Sequence, residues 1–240
     1  MSLPFKMKIE TEMERYRAET FWTKEPETVA WITSFDKGEV FYDIGANVGM
    51  YSLYCASINP YAHIYAFEPV PSNHWRLVQN IQLNRFQNIH ALNMALADKT
   101  CLERLYIPDT EIGKSGAQIS KAVDECGQTF NAENVCIVPS ITLARFIQVF
   151  NPKYPNHIKI DVDGHEGEII SGLSELLFAG ITIKSVLIEC NEGLNTPMIR
   201  ALMTSAGFTT DNPFNIHENH SRYRRKMEGV TAENIVFTRR

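Results

Sequence analysis

Val40-Phe41-Tyr42-Asp43-Ile44-Gly45-Ala46-Asn47-Val48-Gly49-Met50-Tyr51 sets an apolar run against two glycines spaced four apart, with helical periodicity resuming at Met50. A strand, a tight glycine turn and a helix start, in that order, form the ligand cradle of a doubly wound α/β domain. Glycine lets the backbone bend sharply and lie against a neighbour that a Cβ would strike. Spacing separates this turn from the dinucleotide fingerprint G-x-G-x-x-G, whose third glycine packs helix on strand beside a pyrophosphate. Here an acid leads, and Asp43-x-Gly45-x-x-x-Gly49 holds only two glycines.

Outward from this turn, strand and helix patterns alternate. Upstream, residues from about Phe5 to Phe35 read as helical, divided at Glu25-Pro26, where proline can open a second helix. Downstream come a strand over His63–Phe67 closed by Glu68-Pro69, a helix from Ser72 to Arg85, and a third strand from Ile89 to Leu96. Short strands at Leu102–Ile107 and Asn134–Val138 flank a polar stretch, Pro108–Glu133, long enough to suggest a lid or binding element. A helix over Ile141–Phe150, with Ser140 as its cap, precedes a strand over His157–Val162. The amphipathic segment Gly164–Phe178, a strand over Val186–Cys190, a helix opened by Thr196-Pro197 and a terminal pair of strands complete the pattern. The expected fold is α/β, a Rossmann-like, doubly wound, mostly parallel seven-stranded sheet. A helical extension over residues 1–36 precedes a single domain over residues 37–240.

Composition narrows the partners. With 240 residues and a net charge of −5, the chain holds one sizeable core and has no general attraction for nucleic acid or anionic membrane. The basic run Arg222-Tyr223-Arg224-Arg225-Lys226 reads as a solvated face, or else as a contact for an anionic substrate. Five cysteines without a C-x-x-C pair read as reduced thiols. A charged N-terminus and the absence of any membrane-length apolar run give the expectation of a cytoplasmic protein. Asn219-His220-Ser221 matches a glycosylation sequon by chance on that reading.

In open α/β sheets ligands bind beyond the carboxyl ends of the strands. Those ends supply Asp43, Glu68, Leu96, Asp161 and Cys190, three of them acids. Glu68 is placed to accept hydrogen bonds from both ribose hydroxyls of a nucleoside; the alternative is a surface acid before a proline turn. Asp43 would hold a ligand ammonium or the amides of the glycine loop. The stretch Lys159-Ile160-Asp161-Val162-Asp163-Gly164-His165-Glu166 puts Lys159 and Asp161 in phase on one strand face. It lacks the long oxygen-rich loop of an EF-hand. A D-x-D metal site would leave the glycine turn unexplained. Gly113-Lys114-Ser115 lacks the upstream glycine of a phosphate-binding loop.

Asp43-Ile44-Gly45-Ala46-Asn47-Val48-Gly49, Phe67-Glu68-Pro69 with Asn73, and Lys159 to Glu166 with Gly172 together resemble the FkbM family of methyltransferases, in order from about Phe41 to Phe237. The resemblance implies a class I methyltransferase sheet, S-adenosylmethionine as cofactor, and O-methylation of a small-molecule or glycan hydroxyl. It places the cofactor at Asp43, Gly45, Ala46, Asn47, Gly49, Tyr51, Glu68, Pro69, Asn73, Ala95, Leu96 and Asp161. Two positions depart from the family pattern: Asp163, where glutamate is usual, and Leu143-Ala144, where Leu-Asp is favoured.

Methyl transfer from a sulfonium is a direct displacement, so alignment does much of the work. The acceptor hydroxyl needs a base or a metal. His165 has a suitable unperturbed pKa, and Asp161 and Asp163 are placed to orient it, act themselves or hold a divalent ion; no residue is assigned to a metal. A water-facing helix start is the alternative for His165. His217 and His220 are weaker candidates. A nicotinamide-dependent oxidoreductase and a non-catalytic nucleoside-binding subunit are the rival functions.

Overall fold

The computed structural model describes residues 2–124, 127–178, 183–191, 195–215 and 232–239. Seven strands form the main sheet: β1 (Val40–Ile44), β2 (His63–Phe67), β3 (Ile89–Leu92), β8 (His157–Ile160), β9 (Ser185–Asn191), β10 (Phe208–Thr209) and β11 (Ala232–Arg239). Their order is β10-β11-β9-β8-β1-β2-β3. The pairings from β9 through β3 are parallel, while β11 runs antiparallel to both β9 and β10. The order reverses between β1 and β8, which puts the ligand crevice at their carboxyl ends.

Alternation along the strands divides the core. On β1, Val40, Tyr42 and Ile44 face one apolar cluster with Phe146, Leu173 and Met203. These last come from α5 (Leu143–Phe150), α6 (Glu166–Phe178) and α7 (Thr196–Ser205). Phe41 faces the other cluster with Leu53, Leu77, Phe21 and Trp31. That side is covered by α1 (Glu12–Lys24), α2 (Pro26–Thr33), α3 (Met50–Ile58) and α4 (Pro71–Asn84). Residues of the N-terminal extension thus share one core with the sheet.

Local differences from the sequence reading have identifiable causes. Residues 5–10 are not helical, because side chains of α4 take their backbone N–H groups: Lys6 donates to Asn84 and Lys8 to Asn80. Helix α1 begins at a capping box between Thr11 and Glu14. The third strand stops at Leu92, where Asn93 Nδ2 donates to the carbonyls of Glu68 and Pro69 and turns the chain out of the sheet. Ala95–Leu96 (β4) instead joins a four-stranded sheet with β5 (Cys101–Ile107), β6 (Gln118–Ile119) and β7 (Asn134–Ile141). The polar stretch 108–133 therefore contains a strand. Helix α5 is capped by Thr142, whose hydroxyl accepts from Arg145, and not by Ser140.

Cys55, Cys101, Cys136 and Cys190 are free thiols. Among the described residues no helix is long and apolar enough to cross a membrane. Cys126, His217, His220, the sequon and the basic run 222–226 lie outside the described residues.

Candidate active site

The carboxyl ends of β1, β2, β8 and β9 open on a polar cleft of about 690 Å³, counted to its mouth. Gly45 at its floor has φ +81°, and a Cβ there would lie 1.8 Å from the carbonyl oxygen of Asp161. Gly49 has φ +94°, and its Cβ would meet Leu77 Cδ1 at 2.4 Å. The demand for glycine comes from the protein itself: main chain at the end of β8 crowds Gly45, and a left-handed backbone beside Leu77 of helix α4 selects Gly49.

Glu68 is buried at the cleft wall. Its Oε2 accepts the Asn47 N–H at 2.7 Å and its Oε1 the Val70 N–H at 2.8 Å. Burial pushes its carboxyl up to about 7 against the pull of these donors. Each carboxylate oxygen keeps acceptor capacity for a further donor.

Segment 113–117 closes over the glycine turn, pinned from four directions. Asn47 and Asn73 both donate Nδ2 to the Lys114 carbonyl, at 2.9 and 3.0 Å. Asn73 Oδ1 accepts from Gly113 N–H at 2.8 Å, and Asp163 Oδ2 from Gly116 N–H at 2.7 Å. Arg17 Nε donates to the Gly113 carbonyl at 2.6 Å. Asn47 and Asp163 hold left-handed backbones, φ 51° and 54°, which short amide and acid side chains tolerate better than most.

Behind the cleft lies a buried charge network. Lys159 Nζ donates to Asp161 Oδ2 at 2.7 Å, and its side chain is 1% exposed. Burial opposes the ionised form of Asp161, but Lys159 and Lys24 outweigh it and hold the carboxyl below the usual range. Asp43, paired in register with Lys159, accepts from Ser52 Oγ at 2.6 Å. Tyr51 donates to Glu25 Oε2 at 2.7 Å. Alternation turns Asp43 toward α3, so it does not reach the cleft. Asp43, Ala46, Gly49 and Tyr51 shape the wall from behind, whereas Gly45, Asn47, Glu68, Pro69, Asn73, Asp161 and Asp163 line it.

A second pocket, apolar and of about 380 Å³, adjoins the cleft through Gly45, Pro69, Ala117 and Val162. Its further lining includes Ile44, Phe67, Ala95, Leu96, Ile119 and His165. His165 Nδ1 pairs with Glu168 Oε2 on the next turn. Burial works against its protonation, yet Glu168 raises its pKa. His165 therefore lines the apolar pocket and, together with Asp163, a neighbouring one, while Asp161 lies in the cleft without it.

Three cleft residues escape a strand-end reading of the sequence. Glu189, not Cys190, lines the cleft, because β9 runs on to Asn191 and alternation turns Cys190 into the α6/α7 core. Glu189 Oε2 is buried with no hydrogen-bond partner among the described residues. Burial, with Asp161 and Asp163 nearby, raises its pKa well above the usual range. Arg17 and Lys24 reach the cleft from α1.

This strand order, with a glycine turn after β1 and a carboxylate closing β2, is that of the class I S-adenosylmethionine-dependent methyltransferases. Residues 43–210 match the model of the Methyltransferase FkbM domain, and the chain belongs to that family. S-adenosylmethionine is its cofactor. The chain is 22% identical to hexuronic acid methyltransferase AglP of Haloferax volcanii, the match covering 73% of this chain and 66% of that protein. It is 28% identical to methyltransferase sdnD of Sordaria araneosa, covering 74% of this chain and 76% of that one. The solved structure of P. horikoshii TYW2 in complex with MeSAdo is 13% identical, with a TM-score of 0.49, over 97% of this chain and 64% of that one.

Proposed function

We propose that this protein transfers the methyl group of S-adenosylmethionine to a hydroxyl oxygen of a small molecule or sugar. The observation that carries the donor site is Glu68: a buried carboxylate, with acceptor capacity left over, where a polar cleft meets an apolar slot. The flat base fits the slot lined by Phe67, Pro69, Leu96 and Val162; the ribose hydroxyls fit Glu68; the sulfonium end fits the side of Asp161, Asp163 and Glu189. When bound, the donor supplies an electrophilic methyl carbon. The protein's share is alignment and proton removal.

Among the acids of the cleft, Asp161 is committed to Lys159 and Asp163 to the loop at Gly116, which leaves Glu189 Oε2 as the proton acceptor for the hydroxyl. A positive sulfonium beside Glu189 favours its ionised, basic form. His165 serves as a wall of the base slot. The hexuronic acid in the name of AglP brings sugar acids into the acceptor class proposed.

The test supplies isotopically labelled donor with a panel of neutral sugars, hexuronic acids and small hydroxylated molecules. Label in an O-methyl group, lost in Glu68→Ala, is expected. Label on nitrogen or carbon, or transfer indifferent to Glu68, would overturn the reading.

A further inference from the structure

Helix α1 projects two cations into the cleft, and they differ in how their charge is met. Lys24 Nζ lies 2.6 Å from Glu25 Oε1. Arg17 donates Nε to the Gly113 carbonyl, and its guanidinium makes no ion pair among the described residues. A guanidinium stays charged at any physiological pH. Its field reaches both Glu68 and Asp161, with which it lines the cleft.

Arg17 is also firmly placed. Its helix is capped by Thr11 and clamped to α4 by the buried pair of Arg76 Nε and Glu14 Oε1 at 3.1 Å. Phe21, one turn further on, packs edge-on against Tyr54. A fixed fork of N–H donors facing an anion-lined cleft matches a planar carboxylate, and two charge-assisted hydrogen bonds to one are geometrically natural.

We infer that Arg17, with Lys24 beside it, seats the carboxylate of a molecule bound in this cleft. Two sources share that chemistry: the methionyl end of the donor and the acid group of an acceptor such as a hexuronate. The inference rests on the donor reading of the cleft given above.

Calorimetry on the wild type and Arg17→Gln distinguishes the sources. The probes are S-adenosylhomocysteine, 5′-methylthioadenosine (which keeps the nucleoside and sulfur but lacks the amino-acid end), and glucuronate added to protein saturated with S-adenosylhomocysteine. If the donor carboxylate is seated, Arg17→Gln weakens S-adenosylhomocysteine about tenfold or more and leaves methylthioadenosine unchanged. If the acceptor acid is seated, both nucleosides bind as before and glucuronate binding disappears. Arg17→Lys, which keeps the charge without the fork, falls between the two and serves if the glutamine variant is unstable. Equal losses for both nucleosides would mean that Arg17 acts only through the Gly113 loop, and would overturn the inference. So would no change with any probe. A wild type that binds neither nucleoside would instead show that the donor reading has failed, and the inference with it.

Discussion

A Cβ on Gly45 would stand 1.8 Å from the carbonyl oxygen of Asp161, so the ends of β1 and β8 touch backbone to backbone. Two motifs far apart in the chain become one wall through this contact. Gly45→Ala forces both a left-handed alanine and a clash with main chain, neither of which a rotamer change relieves. The variant is expected to lose more than about 4 kcal/mol of stability by urea unfolding. A near-native midpoint would show that the two strand ends can part.

Asp161→Asn removes the charge that compensates a lysine buried to 1% exposure. Breaking a buried pair from one side costs about 3–5 kcal/mol, so lost turnover in this variant mixes instability with chemistry. Adding Lys159→Met is expected to restore the melting temperature and not the activity. A double variant as unstable as the single one would show that Lys159 is not what Asp161 compensates.

Glu68→Ala should weaken S-adenosylhomocysteine and methylthioadenosine by similar factors of about 10 to 100, since both carry the ribose. Calorimetry reads this directly. Undiminished affinity would move the nucleoside elsewhere.

Burial pushes the Glu166 carboxyl up to about 7 from an ordinary 4.5. An acid whose folded pKa is raised binds more protons folded than unfolded between those values, so its contribution to stability falls as pH rises from 4.5 to 7 and is level above. Glu166→Gln keeps an oxygen to accept from the Val162 and Gly164 N–H groups and removes the titration. Relative to this variant, the wild type should lose on the order of 3 kcal/mol between pH 4.5 and pH 7.5. A constant difference across that range would refute the shift.

Glu189, held protonated by burial and by Asp161 and Asp163, should release its proton when a positive sulfonium arrives beside it. Calorimetry in two buffers of unlike ionisation enthalpy is expected to show more proton release with S-adenosylmethionine than with the neutral S-adenosylhomocysteine. In Glu189→Gln the excess should vanish. Equal release with both ligands would place the sulfur away from Glu189.

Much of this architecture is legible from local pattern. Period-two alternation already sorts Val40, Tyr42 and Ile44 from Phe41 and Asp43, and sets Lys159 in phase with Asp161. Gly45 and Gly49, too, are legible as a turn, because they follow an apolar strand run and glycine adopts φ above zero at little cost. Cys190 shows the limit: alternation names the face of a residue only once the strand's true end is known, and β9 runs one residue further.

From the linear chain follow the alternation of strand and helix, the glycine turn and the acid after β2, all of which depend on neighbours within a few residues. Folding alone brings Arg17 to the cleft, commits Asp163 to Gly116, and sets His165 apart from Asp161. Helix α1 has few apolar residues to betray its docking; Arg76 and Glu14, remote in sequence, hold it. Which charges meet is settled by packing over distances that no local period encodes.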